Sequence, residues 1–598
     1  MSKIKRLALE INQNHIAKLA RKFKKEGVNV LMPTYVPQRG EILKCLAQHG
    51  VDVTISGGLD GAKYFKGINQ YGLEEDTLLY AGRFPEHITR KIVGVIPEEK
   101  LKDKKVAIFS YVNSLGWSNY IKERNLNTEI IATVEQNLRN YFEEKGNLIE
   151  ILQKAGLLAY AIPTEHVNGN DSVSSLAQVY ERLKNEDGRV VVQDCRSEFG
   201  NVGGKGTVFI SSKEEFIKNI RENKTNRKVA KFINGAESNL SFFAGNTLVG
   251  EHTLGAKRMN LDDDMNPNDP KTLDKILLKA QSAGIGKDNT AILVGRGTLK
   301  AVGDPVLTSV ESNGVGNDIG YIYDQNVAKQ ISEIGHKLAH LMAMSGKVGL
   351  AGTDLIVDKN GKVWVNEIND RQQGPTAQMS EDAERNGLPS LMKVSLLANF
   401  ADMREEKTQK IFQSLRDNCV DIHNHYANSQ GEFYMKLNAT HACGTEKVIN
   451  RLKPGYYNLV KHHDGTWRLD IASHCEANAS IKYHTNPNEG MITIKLAGGD
   501  WKTGDEFPNG AQLFRLSGVT NKANPPFIVA NGKTILNPAW KGAVEACYAH
   551  LFGADYMRKN PLLKQRILCN KKRTLQSMQN TPIVMIRNIK GKLTYNGY

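Results

Sequence analysis

The chain has 598 residues, 40% of them hydrophobic and 24% charged, an ordinary globular composition with length for roughly three or four domains. No stretch approaches the ~18 apolar residues of a bilayer-spanning helix, so none is expected. The net charge of +15 is uneven: residues 401–598 carry 27 Lys+Arg against 16 Asp+Glu, which suits nucleic acid, an anionic membrane surface or an acidic substrate, and equally a soluble lysine-rich surface.

Residues 1–27 read as a basic amphipathic helix without the apolar core of a signal peptide, and Glu10 and Glu26 argue against a transit peptide. Over residues 28–135 short apolar strands at Val28–Met32, Val51–Ile55, Lys105–Tyr111 and Thr128–Val134 alternate with helical patterns such as Gly40–His49, which predicts a small parallel sheet. The turn Ser56-Gly57-Gly58 is too short to be a nucleotide fingerprint. Val134–Gly156 carries apolar residues at helical spacing and predicts one long helix stopped by Gly156. A helix over Ser174–Leu183 follows. The seven cysteines (Cys45, Cys195, Cys419, Cys443, Cys475, Cys547 and Cys569) are scattered without a CxxC pair, which suits a reducing cytosol.

Arg189–Ile210 places a glycine-rich loop with Gly200, Gly203, Gly204 and Gly206 around Lys205 between two apolar strands. Such a loop can fold its amides over phosphates while the lysine adds charge; the plain alternative is a flexible hairpin tip. A helix is predicted at Lys213–Glu222, strands at Lys228–Ile233, Asn239–Ala244, Ala291–Val294 and Val306–Val310, and a long helix at Asp324–Ser345. Then comes GLAGTDLIVDKNGKVWVNEINDRQQGP, from Gly349 to Pro375. Strands at Thr353–Val357 and Lys362–Ile368 flank the turn Asp358-Lys359-Asn360-Gly361, a predicted hairpin. Asp354 and Glu367 fall nearly opposite each other, and Glu367 and Asn369 share a face. Two carboxylates and an amide oxygen, followed by Arg371, make a site for a hard cation and the phosphates it carries. The apolar residues on both strands argue for a buried hairpin over a solvated one.

From about residue 140 to 400 the chain resembles the ATP-grasp superfamily, whose members hold ATP between two small α+β subdomains and mostly activate a carboxylate as an acyl phosphate before an amine attacks. The parts stand in the family's order: a lead-in helix and loop (Lys154–Pro163), a glycine-rich flap, a hinge strand and the D…E-x-N hairpin, whose spacing resembles D-alanine–D-alanine ligases and biotin carboxylases. The resemblance implies that Asp354, Glu367 and Asn369 bind Mg²⁺ on the phosphates of ATP. It implies that Arg371 contacts a phosphate or the acyl phosphate, and that Lys205 with Gly203, Gly204 and Gly206 covers the β- and γ-phosphates. Ala230, Lys231, Phe232 and Ile233 would be the hinge, contacting adenine through backbone groups, and Glu237 the ribose carboxylate. Two residues depart from the pattern. Gln193 stands where many relatives carry a phosphate-binding lysine, and Ala230 replaces a frequent hinge glutamate. The first weakens the α-phosphate contact unless Lys231 or another cation compensates.

Residues 401–598 match no family recognised in the sequence. They predict a helix at Arg404–Asn418, short strands at Tyr456–Val460, Trp467–Ile471 and Met491–Leu496, and a helix at Trp540–Leu551. Their histidines fit no zinc spacing. This third is read as completing the acceptor site, as a dimer interface, or as a surface for a large anion. The expected architecture is multidomain α/β and α+β: a basic helix over 1–27, a parallel-sheet domain over 28–135, an ATP-grasp domain over 136–400 and a mixed C-terminal domain over 401–598. The expected activity is cytoplasmic ATP-dependent joining of a small-molecule carboxylate to an amine, an amino acid or peptide, with Arg371 and Lys205 as catalytic residues. Rival readings are carboxylation or phosphoryl transfer, or a nucleic-acid-binding protein on a degenerate scaffold.

Overall fold

The structure is a computed structural model that describes residues 2–34, 42–57, 68–72, 86–110, 116–195, 207–223, 225–250, 254–267, 269, 271–309, 313–440, 444–475, 484–498 and 500–559. The N-terminal helix expected over 1–27 is helical throughout: Lys3–Leu9 and Ile16–Glu26 are α-helices joined by a π-helical Glu10–His15. Gly27 ends it with φ +66°, the left-handed conformation that glycine adopts without a Cβ penalty. Ile16, Leu19, Ala20 and Phe23 lie on one buried face, and the Phe23 ring sits 6.0 Å from that of Phe400.

Three sheets follow. Strands β1 (Val28–Thr34), β2 (Asp52–Gly57), β3 (Asn69–Gly72), β4 (Lys105–Ile108) and β5 (Glu129–Thr133) form the expected parallel sheet, in the order β3-β2-β1-β4-β5. Strands β6 (Thr164–Val167), β7 (Val190–Asp194), β8 (Thr207–Ile210) and β9 (Arg227–Lys231) form an antiparallel sheet in the order β6-β9-β7-β8. It is backed by helices Val173–Leu183 and Lys213–Glu222, each started by a serine that accepts a backbone N–H.

The third sheet is the scaffold of the molecule. It takes β10 (Gly235–Asn246), β11 (Thr290–Val302), β12 (Gly314–Asp318), β13 (Gly349–Asp358), β14 (Val363–Asn369) and β15 (Glu432–Asn438). It also takes β17 (Gly455–Lys461), β18 (Trp467–Cys475), β19 (Met491–Gly498) and β21 (Gln512–Val519). The order is β14-β13-β10-β11-β12-β15-β21-β19-β17-β18. Two small ribbons flank it, one of β16 (Thr445–Lys447) and β20 (Glu506–Pro508), the other of β22 (Phe527–Ala530) and β23 (Lys533–Leu536). The boundary expected at residue 400 falls inside this sheet, because β12 pairs with β15 through Gly316–Met435, Asn317–Tyr434 and Asp318–Phe433. The helix Gln325–Met344 packs on the β10–β14 part. The helix Pro538–Phe552 buries Phe433, Leu516 and Ile494 on one face of the C-terminal part.

Two local expectations are corrected. The single helix expected over Val134–Gly156 is broken: Arg139–Phe142 is followed by Glu144 in an extended conformation, a 3-10 turn at Lys145–Asn147 and a second helix at Leu148–Lys154. The break is held by the Asn147 amide, which donates to the carbonyls of Tyr141 (3.0 Å) and Pro267 (2.7 Å). Tertiary bonding thus overrides the helical period. At Val306–Val310 the described residues form a turn fixed by Asp304, whose carboxylate accepts from Val306 N (2.9 Å) and Leu536 N (2.9 Å); the strand is displaced to β12.

Candidate active site

The β13–β14 hairpin turns at Asp358–Lys362. There the Asp358 carboxylate accepts from the backbone of Asn360 and Lys362, and Gly361 takes φ +75°. From the turn the strands pair as Val357–Val363, Ile356–Trp364 and Leu355–Val365; the register then shifts, and Asp354 pairs with Glu367. Regular pairing would have put Asn366 opposite Asp354. The extra residue turns Glu367 onto the Asp354 face, which is how a bulge re-aims a side chain. Asn369 follows two residues on, and its amide nitrogen lies 3.5 Å from Asp354 Oδ1 and 3.4 Å from Glu367 Oε1. The three expected metal ligands therefore converge.

Around them is a dense polar cluster. Lys300 in β11 donates to Asp354 Oδ2 at 2.6 Å and lies 3.4 Å from Glu237 in β10. Gln373 donates to Asp354 Oδ1 at 2.9 Å, and Asn239 donates to the same oxygen. Behind Asn239 runs a buried chain: Asn317 donates to Asn239 Oδ1 (2.7 Å), and the Tyr434 hydroxyl donates to Asn317 Oδ1 (2.7 Å). Tyr434 lies in β15, so the C-terminal third helps orient the Asp354 carboxylate. Arg371 donates to Asn369 Oδ1 at 2.8 Å and pairs with Glu143 at 3.4 Å. The residue between them, Asp370, points away into a wholly buried 2.5 Å ion pair with Lys347.

Electrostatics follow from this packing. Desolvation pushes Asp354 above the usual carboxylate range and Glu367 adds to it, while Lys300 and Arg371 oppose. Desolvation acts the same way on Glu367, but Lys145, Lys300 and Arg371 outweigh it and hold that carboxyl low. Glu237 is raised, by desolvation first, against the pull of Lys300.

The wall opposite is built from the antiparallel sheet β6-β9-β7-β8. Gln193 is buried in β7 and donates to Thr207 Oγ1 at 3.3 Å. In register with it on β9 is Lys228, 2% exposed, whose pKa is pushed down to about 8 by burial first and by Lys145 second. Lys145, delivered by the helix break, sits 3.9 Å from Glu367 Oε2. Ala230 and Lys231 end β9, and Phe232 and Ile233 follow it. The backbone N–H of Lys231 donates to Pro163 O at 2.9 Å, and the Phe232 ring carries the Arg189 guanidinium 3.8 Å above it. Gly203, Gly204, Lys205 and Gly206 lie outside the described residues.

Gln372–Ser380, directly after the hairpin, starts as a buried loop and becomes the helix Thr376–Arg385. A Cβ on Gly374 would stand 2.5 Å from the Tyr434 hydroxyl, so only glycine fits this contact. Sequence reasoning missed Lys145, Lys228, Lys300, Asn239, Asn317 and Tyr434. For the asparagines the available signal is a polar residue inside an apolar strand; for the rest it is register, which appears only on folding.

Two carboxylates and an amide with hard oxygens, among cations, fit Mg²⁺ with a polyphosphate; turning the Asn369 amide over would present its oxygen to the same point as the carboxylates. Among the described residues no group of three or more His, Cys, Asp or Glu is set to hold a metal. The parts implied by the ATP-grasp resemblance and described here stand in the expected order: lead-in helix, hinge strand, hairpin.

No family model and no curated protein matches the chain. Among solved structures it is similar to the biotin carboxylase domain of the 2-oxoglutarate carboxylase of Hydrogenobacter thermophilus, in complex with MgADP, ADP and bicarbonate, at 11% identity and TM-score 0.48 over 82% of this chain and 86% of that one. It is similar to an L-amino acid ligase from Bacillus licheniformis at 11% identity and TM-score 0.43, over 82% and 93%. It is similar to N5-carboxyaminoimidazole synthetase from Staphylococcus aureus complexed with ADP at 12% identity and TM-score 0.42, over 83% and 94%. At TM-scores below 0.5 these likenesses are weak.

Proposed function

We propose that the chain is an ATP-dependent ligase of the ATP-grasp kind, joining a small-molecule carboxylate to an amine through an acyl phosphate and releasing ADP and phosphate. One observation supports it above the others: Asp354, Glu367 and Asn369 converge on one point with Lys145, Lys300 and Arg371 around them. Asp354, Glu367 and Asn369 would hold a Mg²⁺, which would supply charge neutralisation for the phosphates. Arg371, aimed by Asn369 and Glu143, stabilises the γ-phosphoryl as the substrate carboxylate attacks it. The amine then attacks the acyl carbon, and phosphate leaves. Gly374, Tyr434 and the start of the helix Thr376–Arg385 stand next to this cluster and are the wall we assign to the acyl group. A buried, water-poor enclosure protects an acyl phosphate from hydrolysis.

A degenerate scaffold that only binds nucleic acid is disfavoured, because a five-residue network (Lys300, Asn239, Gln373, Asn317, Tyr434) is kept around Asp354. Among the described residues no helix is long and apolar enough to cross a membrane. Among the described residues Cys45, Cys195, Cys419, Cys475 and Cys547 are free thiols. The test is a screen of carboxylates and amines with MgATP and the full chain. ADP and phosphate released only when both substrates are present support ligation. AMP with pyrophosphate rules out the acyl phosphate, and bicarbonate-dependent or alcohol-dependent ADP release selects carboxylation or phosphoryl transfer instead.

A further inference from the structure

The cleft contains more positive charge than its acids use. Lys300 is engaged by Asp354 and Glu237, Arg371 by Asn369 and Glu143, and Lys347 by Asp370. Among the described residues Lys145 pairs with Glu367 alone, at 3.9 Å. Lys228 is 2% exposed, and among the described residues its ammonium makes no hydrogen bond or ion pair. The groups that act on it are Lys145, which repels it, and Glu367 and Cys195, which attract it. It also faces His166, its register partner on β6, whose own pKa is lowered by burial first and by Lys228 second. A buried ammonium beside another ammonium is costly unless an anion joins them.

The position of this lysine carries the inference further. Strands β7 and β9 are antiparallel neighbours, and Gln193 pairs directly with Lys228. Directly paired residues point to the same face, with Cβ atoms roughly 5 Å apart. The next pair, Asp194 with Arg227, forms a 2.7 Å ion pair on the other face. Ala230, two residues beyond Lys228, shares its face at the hinge.

We propose that Lys228 binds the nucleotide polyphosphate, supplying from β9 the cation that Gln193 does not supply from β7, with Lys145 as the second ammonium of the same anion pocket. This rests on the nucleotide reading above. The cation has moved one strand across the sheet while its charge stays over the same spot. The register that makes Gln193 and Lys228 neighbours is what lets one residue stand in for the other.

The test uses the full chain and calorimetric titration with MgATP, MgADP, AMP and adenosine. Lys228→Gln weakens MgATP and MgADP by about 10- to 100-fold, the scale of one charge-assisted phosphate contact, and leaves adenosine within about threefold. The exchanged variant Gln193→Lys/Lys228→Gln regains most of the lost affinity. Lys228→Met supplies a second readout with the opposite sign. It removes a buried unpaired charge, so the nucleotide-free protein melts at a higher temperature while MgATP protects it less than it protects the wild type. Wild-type MgATP affinity in Lys228→Gln, or an exchanged variant no better than Lys228→Gln, overturns the assignment while leaving the nucleotide reading intact. If the wild type binds none of the four probes, it is the nucleotide reading that fails.

Discussion

Asp354 receives Lys300, Asn239 and Gln373 on its two oxygens, so its position is set before any cation arrives. Glu367 is less restrained, with Asn369 at 3.4 Å and Lys145 at 3.9 Å, and is the ligand free to adjust to a metal. Glu367→Gln should therefore abolish turnover with little change in melting temperature, since it removes one negative ligand at almost constant volume; retained activity would misplace the metal. Tyr434→Phe deletes the hydroxyl that holds Asn317 and costs about 1–2 kcal/mol of stability, together with a fall in kcat, read by melting and steady-state assays. Away from the site, His423 is buried with Nδ1 on the Gly295 carbonyl at 2.8 Å. Burial first and His336 second push its pKa from 6.5 down to about 4. The unfolded chain takes up this proton near its ordinary pKa while the folded chain resists until about 4. Its contribution is therefore present above pH 6.5 and lost as the pH falls between those values, by up to about 1.4 kcal/mol per pH unit. His423→Gln should flatten that acid limb in melting curves. At this scale Asp354, Glu367, Asn369 and Arg371 were legible because they sit within one hairpin of the sequence. Lys300 and Tyr434 were not, because strand pairing brings them in from afar.

Elements whose ends carry their own chemistry were the most legible. The helix Lys213–Glu222 starts on Ser212 and the helix Gln325–Met344 on Asp324, each cap accepting backbone N–H groups, and both lie where periodicity places them. The expected helix over 134–156 failed because its apolar period continues through a break made by distant partners of Asn147. That break matters, since a continuous helix would not present Lys145 at the 3-10 turn. The helix Leu391–Phe400 is buried on every side, so it joins the N-terminal helices and the parallel sheet to the large sheet. Phe400 lies 6.0 Å from Phe23 and 5.9 Å from Phe109, ring centre to ring centre. Phe400→Ala should cost about 3–5 kcal/mol, measured by denaturant unfolding, with nucleotide affinity unchanged.

For the whole molecule, composition and length pointed to a chain of several domains but not to ten strands sharing one sheet across residue 400. Pairing partners such as Asn317 and Tyr434 stand more than a hundred residues apart, and nothing local marks them. A chain ended before β15 would expose the backbone edge of β12, and size-exclusion chromatography should find it aggregated; a well-behaved monomer would contradict the shared sheet. The same continuity divides the cleft mechanically. The Asp354–Glu367–Asn369 side belongs to a slab braced by ten hydrogen-bonded strands, whereas the Gln193–Lys228 side hangs from two thin connections, near Ile162–Thr164 and Phe232–Gly235. Those two connections are where a hinge would let the Gln193–Lys228 sheet swing against the slab. On the proposed nucleotide reading, such a hinge would move the half that meets the phosphates while Asp354, Glu367 and Asn369 stay fixed on the slab.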